Sequence, residues 1–287
     1  MKTRTIERVR KSPLHPGFLG EGHMAAAVIG GTDFEQTDPF FLLMDDQVNL
    51  PGGPPAGGPH PHAGFETVTF VLEGNGKEWQ TGSLEVMTAG KGIIHTETIT
   101  AKTQMRILQL WLVLPPEKRW TDPFFQELLL EDVPTLPIGD SEIRVYSGSS
   151  NGLTSPLQNH TPFTLVDFHL DKEEVNQVLP AGYNGFIFVI HGSVQVGDTT
   201  VNQGETGWLD LSEGLEESNI TFNADEKARF ILYAAKPHGA AIVSHGPFIG
   251  DNEEDIIRLF KEYRQGKMPH LNDLPESSRI HHRLQKA

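Results

Sequence analysis

Two pairs of coordinating side chains in this 287-residue chain share a spacing that suits chemistry: His60 with His62, and His95 with Glu97. Residues two apart on an extended strand point to the same face, so each pair can look one way together. Strand pairing that joins the two would bring three imidazoles and a carboxylate to one point. Such a set holds a divalent transition metal and leaves positions open for water, substrate or dioxygen. Imidazole with carboxylate accommodates Fe(II), Mn(II), Ni(II), Cu(II) or Zn(II), and the residues alone do not separate them. Glu66 has the same parity as His60 and His62 on an unbroken strand. The carboxylate is therefore Glu97 or Glu66, with Glu97 ranked first, and the other is placed to hydrogen-bond a ligand.

The elements that must position these residues are strands. Residues 51 to 59 are rich in glycine and proline and form an irregular loop that delivers the chain to His60. Thr67–Leu72 is β-branched and aromatic, and Glu73–Gly76 is turn-like. Ser83–Met87 and Ile93–Ile99 read as strands separated by the glycine loop Thr88–Gly92, and Met105–Leu114 as a further apolar strand. Trp120–Glu131 reads as a short helix or turn leading to a seam at Pro134 and Pro137. Beyond the seam the pattern recurs in Phe163–Leu170, Gly185–Gly192, Val194–Val196, Thr199–Val201 and Arg229–Ala235. Many short strands with glycine turns, seen twice, predict an all-β protein of two tandem barrels. One helix is expected over Asp251–Gln265, capped by Asp251 or Asn252, closed by Gly266, with Ile256, Leu259, Phe260 and Tyr263 on a packing face. From Met268 onward the chain reads as a loose tail in which His281 and His282 are solvated.

Composition narrows the partners. Aspartate and glutamate outnumber lysine and arginine by 38 to 23, giving a formal charge of -15 that argues against direct binding to nucleic acid. There are no cysteines, so any metal is held by nitrogen and oxygen alone. No apolar segment follows the basic N-terminal residues as in a signal peptide, and no apolar run is long enough to span a membrane. A cytoplasmic protein is the expectation.

The run from His60 to Gly74, His-Pro-His-Ala-Gly-Phe-Glu-Thr-Val-Thr-Phe-Val-Leu-Glu-Gly, resembles the signature of pirins, bicupin proteins of the cupin superfamily. Met87–Glu97 matches their second motif, and Asp38-Pro39-Phe40, Leu110-Trp111 and His245–Phe248 also fit. The resemblance implies two tandem cupin (double-stranded β-helix, or jelly-roll) barrels: residues 1–134 with the metal, residues 135–250 without one, and 251–287 as a C-terminal helix and tail. It implies iron(II), foremost among the metals above, held by His60, His62, His95 and Glu97. It also implies flavonol (quercetin) 2,3-dioxygenase activity, with Glu97 as the catalytic base taking the 3-hydroxyl proton before dioxygen adds and carbon monoxide leaves. The family's other role is that of an iron-dependent regulator, which would act here through protein partners in response to redox state. The second barrel has no His-x-His, and His169, His191, His238 and His245 are isolated and read as structural. The chain departs from the family pattern at Lys91, where many members carry arginine. It departs again in the short segment Asn75–Glu85, which bears on the shape of the pocket.

Overall fold

The computed structural model describes residues 2–31, 33–75, 79–211 and 216–283. Strand dominates, as the short apolar runs predict, and the chain parts into two compact units. One comprises Met1–Ser12 with Asp132–Pro237, the other Pro13–Glu131 with His238–Ala287. The break at 131/132 lies close to the expected 134. The divisions expected at 250 and 251 do not coincide with the one at 237/238, and the first twelve residues join the later unit. The reason is strand pairing. Ile6–Lys11 lies antiparallel to Glu205–Leu209 and covers what would be an open sheet edge.

In that unit, seven strands run in the order Thr135–Ile138, Ser141–Ser147, Phe163–Asp171, Lys227–Ala235, Asn184–His191, Glu205–Leu209, Ile6–Lys11. A second sheet contains Glu174–Leu179, Ser193–Val196, Thr199–Asn202 and Ser218–Asn223. Their inner faces bury one apolar cluster in which Phe168, Phe222 and Phe230 pack ring against ring.

The other unit holds the candidate site. Its eight-stranded sheet follows the order Arg279–His282, Phe124–Leu128, Leu84–Thr88, Phe65–Gly74, Thr103–Val113, Phe40–Leu50, His23–Gly30, His15–Pro16. Phe65 through Leu72 is buried without alternation, which marks a strand covered on both faces. Of the turn expected at Glu73–Gly76, Glu73 and Gly74 still belong to the strand, Asn75 bridges to Gln80, and Gly76 lies outside the described residues.

Two expectations are corrected here. The stretch Trp120–Glu131, expected to be a short helix or turn, contains the strand Phe124–Leu128, followed by a single 3-10 turn at Leu130–Asp132. Its residues alternate, with Gln126 and Leu128 buried and paired against Leu84–Thr88. The tail is not loose either. Arg279–His282 adds to Phe124–Leu128 in parallel, and His282 Nε2 lies 3.0 Å from Gln126 Oε1. Met268 is buried against the helix and Gly92.

The helix spans Glu253–Arg264, with the Asn252 side chain accepting a hydrogen bond from the Asp255 N–H at 3.0 Å. Ile256 and Leu259 bury against Ala63, Phe248 and Met268, and Gly266 adopts φ +65° just beyond the helix end. No helix among the described residues is long and apolar enough to cross a membrane.

Candidate metal centre

Pro59–His62 and Ile93–Thr96 form a two-stranded antiparallel sheet in which His60 faces His95 and His62 faces Ile93. Cross-strand neighbours on one face approach closely, and the two-residue period puts His62 on the same side. The result is a triangle of rings, with centroids 4.2 Å apart for His60–His95 and 4.9 Å for each of the other two pairs. One nitrogen from each of the three lies within 4.8 Å of the others. Two nitrogens each about 2.1 Å from a metal sit about 3 to 4 Å apart, depending on the angle between them. His60 Nε2 and His95 Nε2, 2.8 Å apart, are already near that spacing, and the bound of 4.8 Å on all three lies a little above it.

Hydrogen bonds set the tautomers. His60 Nδ1 lies 2.9 Å from the Gly58 carbonyl, to which it must donate, so His60 Nε2 carries a lone pair. His95 Nε2 is 2.8 Å from that lone pair and donates to it. His62 Nδ1 is buried without a well-formed hydrogen bond. A shared lone pair and an uncompensated buried nitrogen are what a nitrogen-seeking cation would relieve, so these residues fit a metal.

Burial first, then His95 and His60, hold His62 well below the usual imidazole range, against a smaller opposing contribution from the Pro247 backbone. Burial, with His60 and His270 adding to it, brings His95 down to about 3. Both rings are therefore neutral near pH 7, the form that binds metal.

The two carboxylates go to different places. Glu97 Oε2 is 3.9 Å from His60 Nε2, its Oε1 is 3.9 Å from His95 Nδ1, and Gln109 Nε2 donates to Oε1 at 3.4 Å. Burial raises the Glu97 acid above the ordinary range, with His60 and Gln109 opposing. Glu66 does not continue the His60–His62 parity, because Gly64 breaks the strand with φ +90°. It sits fully buried opposite Thr88, whose hydroxyl donates to it at 2.8 Å.

Gly64 also ties the two histidine-bearing segments together. Its N–H donates to the Gly90 carbonyl at 2.8 Å, and a Cβ there would overlap the Ile249 carbonyl oxygen. Gly64→Ala is expected to cost about 2 kcal/mol or more, from left-handed strain and that overlap together. Chemical denaturation with metal titration of the same variant checks it; unchanged stability would show that the backbone there can shift freely.

Beside the triangle a cavity of 50 Å³ opens, with Ile99, Met105 and Ile107 among its apolar walls and His60, Glu97 and Gln109 among its polar ones. His23 and Asp46 also line it. Sequence reading passed over both, since each is a lone residue outside any motif. Gln109 left a signal: it interrupts the apolar face Met105, Ile107, Trp111 of its strand. From the tail, the Pro269 carbonyl accepts from the Ile94 N–H at 2.8 Å, and His270 Nε2 lies 2.8 Å from Thr96 Oγ1.

Comparison with known proteins follows the same outline. The Pirin family model matches residues 23–112, and the model of the pirin C-terminal cupin domain matches residues 165–269. Pirin from Homo sapiens is 33% identical over 260 residues, covering 86% of this chain and 89% of that protein. The crystal structure of GK1651 from Geobacillus kaustophilus superposes with a TM-score of 0.76 at 30% identity, covering 84% of this chain and 100% of that one. That of a quercetin 2,3-dioxygenase from Acinetobacter baumannii gives 0.80 at 24% identity, covering 92% and 98%, a likeness of fold. With matches to both family models and a third of its residues shared over most of its length, the chain belongs to the pirin family.

Proposed function

We propose that the chain is a metal-dependent dioxygenase of the pirin type, acting on a quercetin-like flavonol or a related enolisable small molecule. The observation that carries this reading is a cluster of three histidines at the edge of an apolar cavity that also presents a carboxylate. His60, His62 and His95 would hold the metal, iron(II) foremost, with Glu97 beside them. When bound, the metal supplies a Lewis acid for an enolate oxygen and a redox partner for dioxygen.

Glu97 would accept the enolic proton, and burial, by raising its pKa, makes it a stronger base than an ordinary carboxylate. Gln109 holds one Glu97 oxygen, leaving the other for the substrate. Ile99, Met105 and Ile107 keep water from the reacting carbon. Size limits the ligand. Pockets for drug-sized ligands run to about 300 Å³ or more. A flavonol therefore enters this 50 Å³ cavity only if its rim opens, whereas compact enolisable carbonyls need less. Phe18, on the rim and 81% exposed, is the side chain with least to hold it.

Oxygen uptake by protein loaded in turn with iron(II), manganese, nickel and copper, given quercetin or pentane-2,4-dione, tests the reading. Turnover with one metal, reduced about 10²- to 10⁴-fold in Glu97→Gln, is expected. No uptake with any metal, beside a working control enzyme, would sink it. The small cavity is also the observation that favours the second reading, an iron-binding redox sensor read by a protein partner. Capture of a partner that is indifferent to chelation and oxidation of the metal would end that alternative.

A further inference from the structure

We infer that Asp46, held by His23, is a specificity-determining residue that accepts a hydrogen bond from a second hydroxyl of the substrate, so that the cavity selects neutral enolisable molecules carrying that extra donor. This rests on the proposed reading of the metal centre and names the class of substrate it would take.

Asp45 and Asp46 are adjacent on the strand Phe40–Leu50 and so face opposite ways. Asp45 has an ordinary partner, the Arg106 guanidinium, which reaches it with two bonds of 2.8 Å. Asp46 faces the cavity and is buried, and among the described residues no lysine or arginine forms an ion pair with it. A buried carboxylate is costly unless hydrogen-bonded. Here the donor is His23 Nε2, 2.8 Å from Asp46 Oδ1.

The tautomer of His23 follows from its other nitrogen. The Leu19 N–H donates to Nδ1 at 3.2 Å, so Nδ1 has no proton and Nε2 has one. The ring is 2% exposed and occupies space that a side chain at residue 17 would fill, because a Cβ on Gly17 would overlap it. A glycine, a loop N–H and a buried imidazole thus converge on one carboxylate oxygen. No hydrogen bond from the described residues reaches the other, Oδ2, on the residue that lines the cavity.

A purely structural latch would leave the cavity indifferent to ligand chemistry. Two carboxylates, Asp46 and Glu97, line the same small space. Together they disfavour anionic ligands and favour hydroxyl donors. Glu97 takes the enolic proton; Asp46 is left for a second hydroxyl.

The test uses binding, so that it does not depend on turnover. Kojic acid and allomaltol are one-ring, neutral hydroxypyranones that differ by a single hydroxyl, which kojic acid carries on the methyl group they share. Their dissociation constants for the nickel-loaded protein are measured anaerobically by calorimetry. About tenfold tighter binding of kojic acid is expected, as for one hydrogen bond to a charged group. In Asp46→Asn the charged acceptor becomes a neutral amide; the ratio is expected to fall to about two- to threefold, as for a neutral hydrogen bond in place of a charged one. A wild-type ratio near one, failure of both compounds to bind, or an Asp46→Asn variant that keeps the ratio would each overturn the inference. Discrimination by binding without any oxygen uptake would uphold it while removing the dioxygenase reading.

Discussion

Replacing His95 with alanine is expected to strip the protein of metal while its fold survives. Loss of a partner that merely orients a ligand already costs about 10- to 100-fold in metal affinity. His95 is itself one of three nitrogens that meet within 4.8 Å, so its removal should cost at least the upper end of that range. Elemental analysis of wild type beside His95→Ala and His62→Ala reads the result directly. Thermal stability gives an independent readout. A metal at a thousand times its dissociation constant stabilises the folded wild type by about 4 kcal/mol, and the variants should show no such metal-dependent shift. Without metal, the variants need not be weaker. His62 buries a nitrogen that lacks a well-formed hydrogen bond, so His62→Leu should hold or raise the melting temperature of the metal-free protein. Stoichiometric metal retained in His95→Ala would place the site elsewhere.

The second large effect is expected in the other unit. Asp167 is fully buried among Arg229, with bonds of 3.1 and 3.0 Å, His169 at 2.8 Å, and Arg144 at 4.0 Å. Asp167→Ala would remove the buried anion to which Arg229 and His169 are hydrogen-bonded, and breaking a buried pair in this way costs about 3–5 kcal/mol. The pH dependence has a definite sign. Burial pushes the Asp167 acid upward, but the His169 hydrogen bond and Arg229 outweigh it, and the net value lies below the ordinary range. A depressed carboxylate contributes stability that is complete above its unfolded value, about 4. That contribution is lost as pH falls through the lower folded value. Urea unfolding of wild type and Asp167→Ala at pH 7 and pH 3 measures both effects; equal stability at pH 7 would refute the network's role.

What could be read in the chain before folding was whatever repeats at short range. His60 and His62 are two apart, His95 sits in a glycine-flanked strand, and strand pairing alone brings them together. Met105–Leu114 and Arg229–Ala235 are recognisable because apolar residues dominate them. The strand Phe124–Leu128 is not, since Phe124-Phe125-Gln126-Glu127-Leu128 is too short for its alternation to be told from one helical turn. Its parallel partner Arg279–His282 comes from far along the chain and has no apolar pattern of its own. His23 and Asp46 belong to no motif, and their pairing exists only once Ala25 and Ile107 have flanked Asp46 in the sheet. That Glu66 and Glu97 go to different places follows from the strand break at Gly64, which residue parity cannot foresee.

The interleaving of the chain between its two units bears on how the protein is made. Ile6–Lys11 leaves the ribosome early, yet its partner Glu205–Leu209 is translated roughly ten to forty seconds later at about 5–20 residues per second. The strand carrying His95 meets a similar delay, because the Pro269 carbonyl that accepts from Ile94 and the His270 ring beside Thr96 are synthesised long after it. A nascent chain with all three histidines already outside the ribosome still lacks the wall that holds one of them. A metal held by these histidines would therefore be bound in its finished site only after translation has passed residue 270.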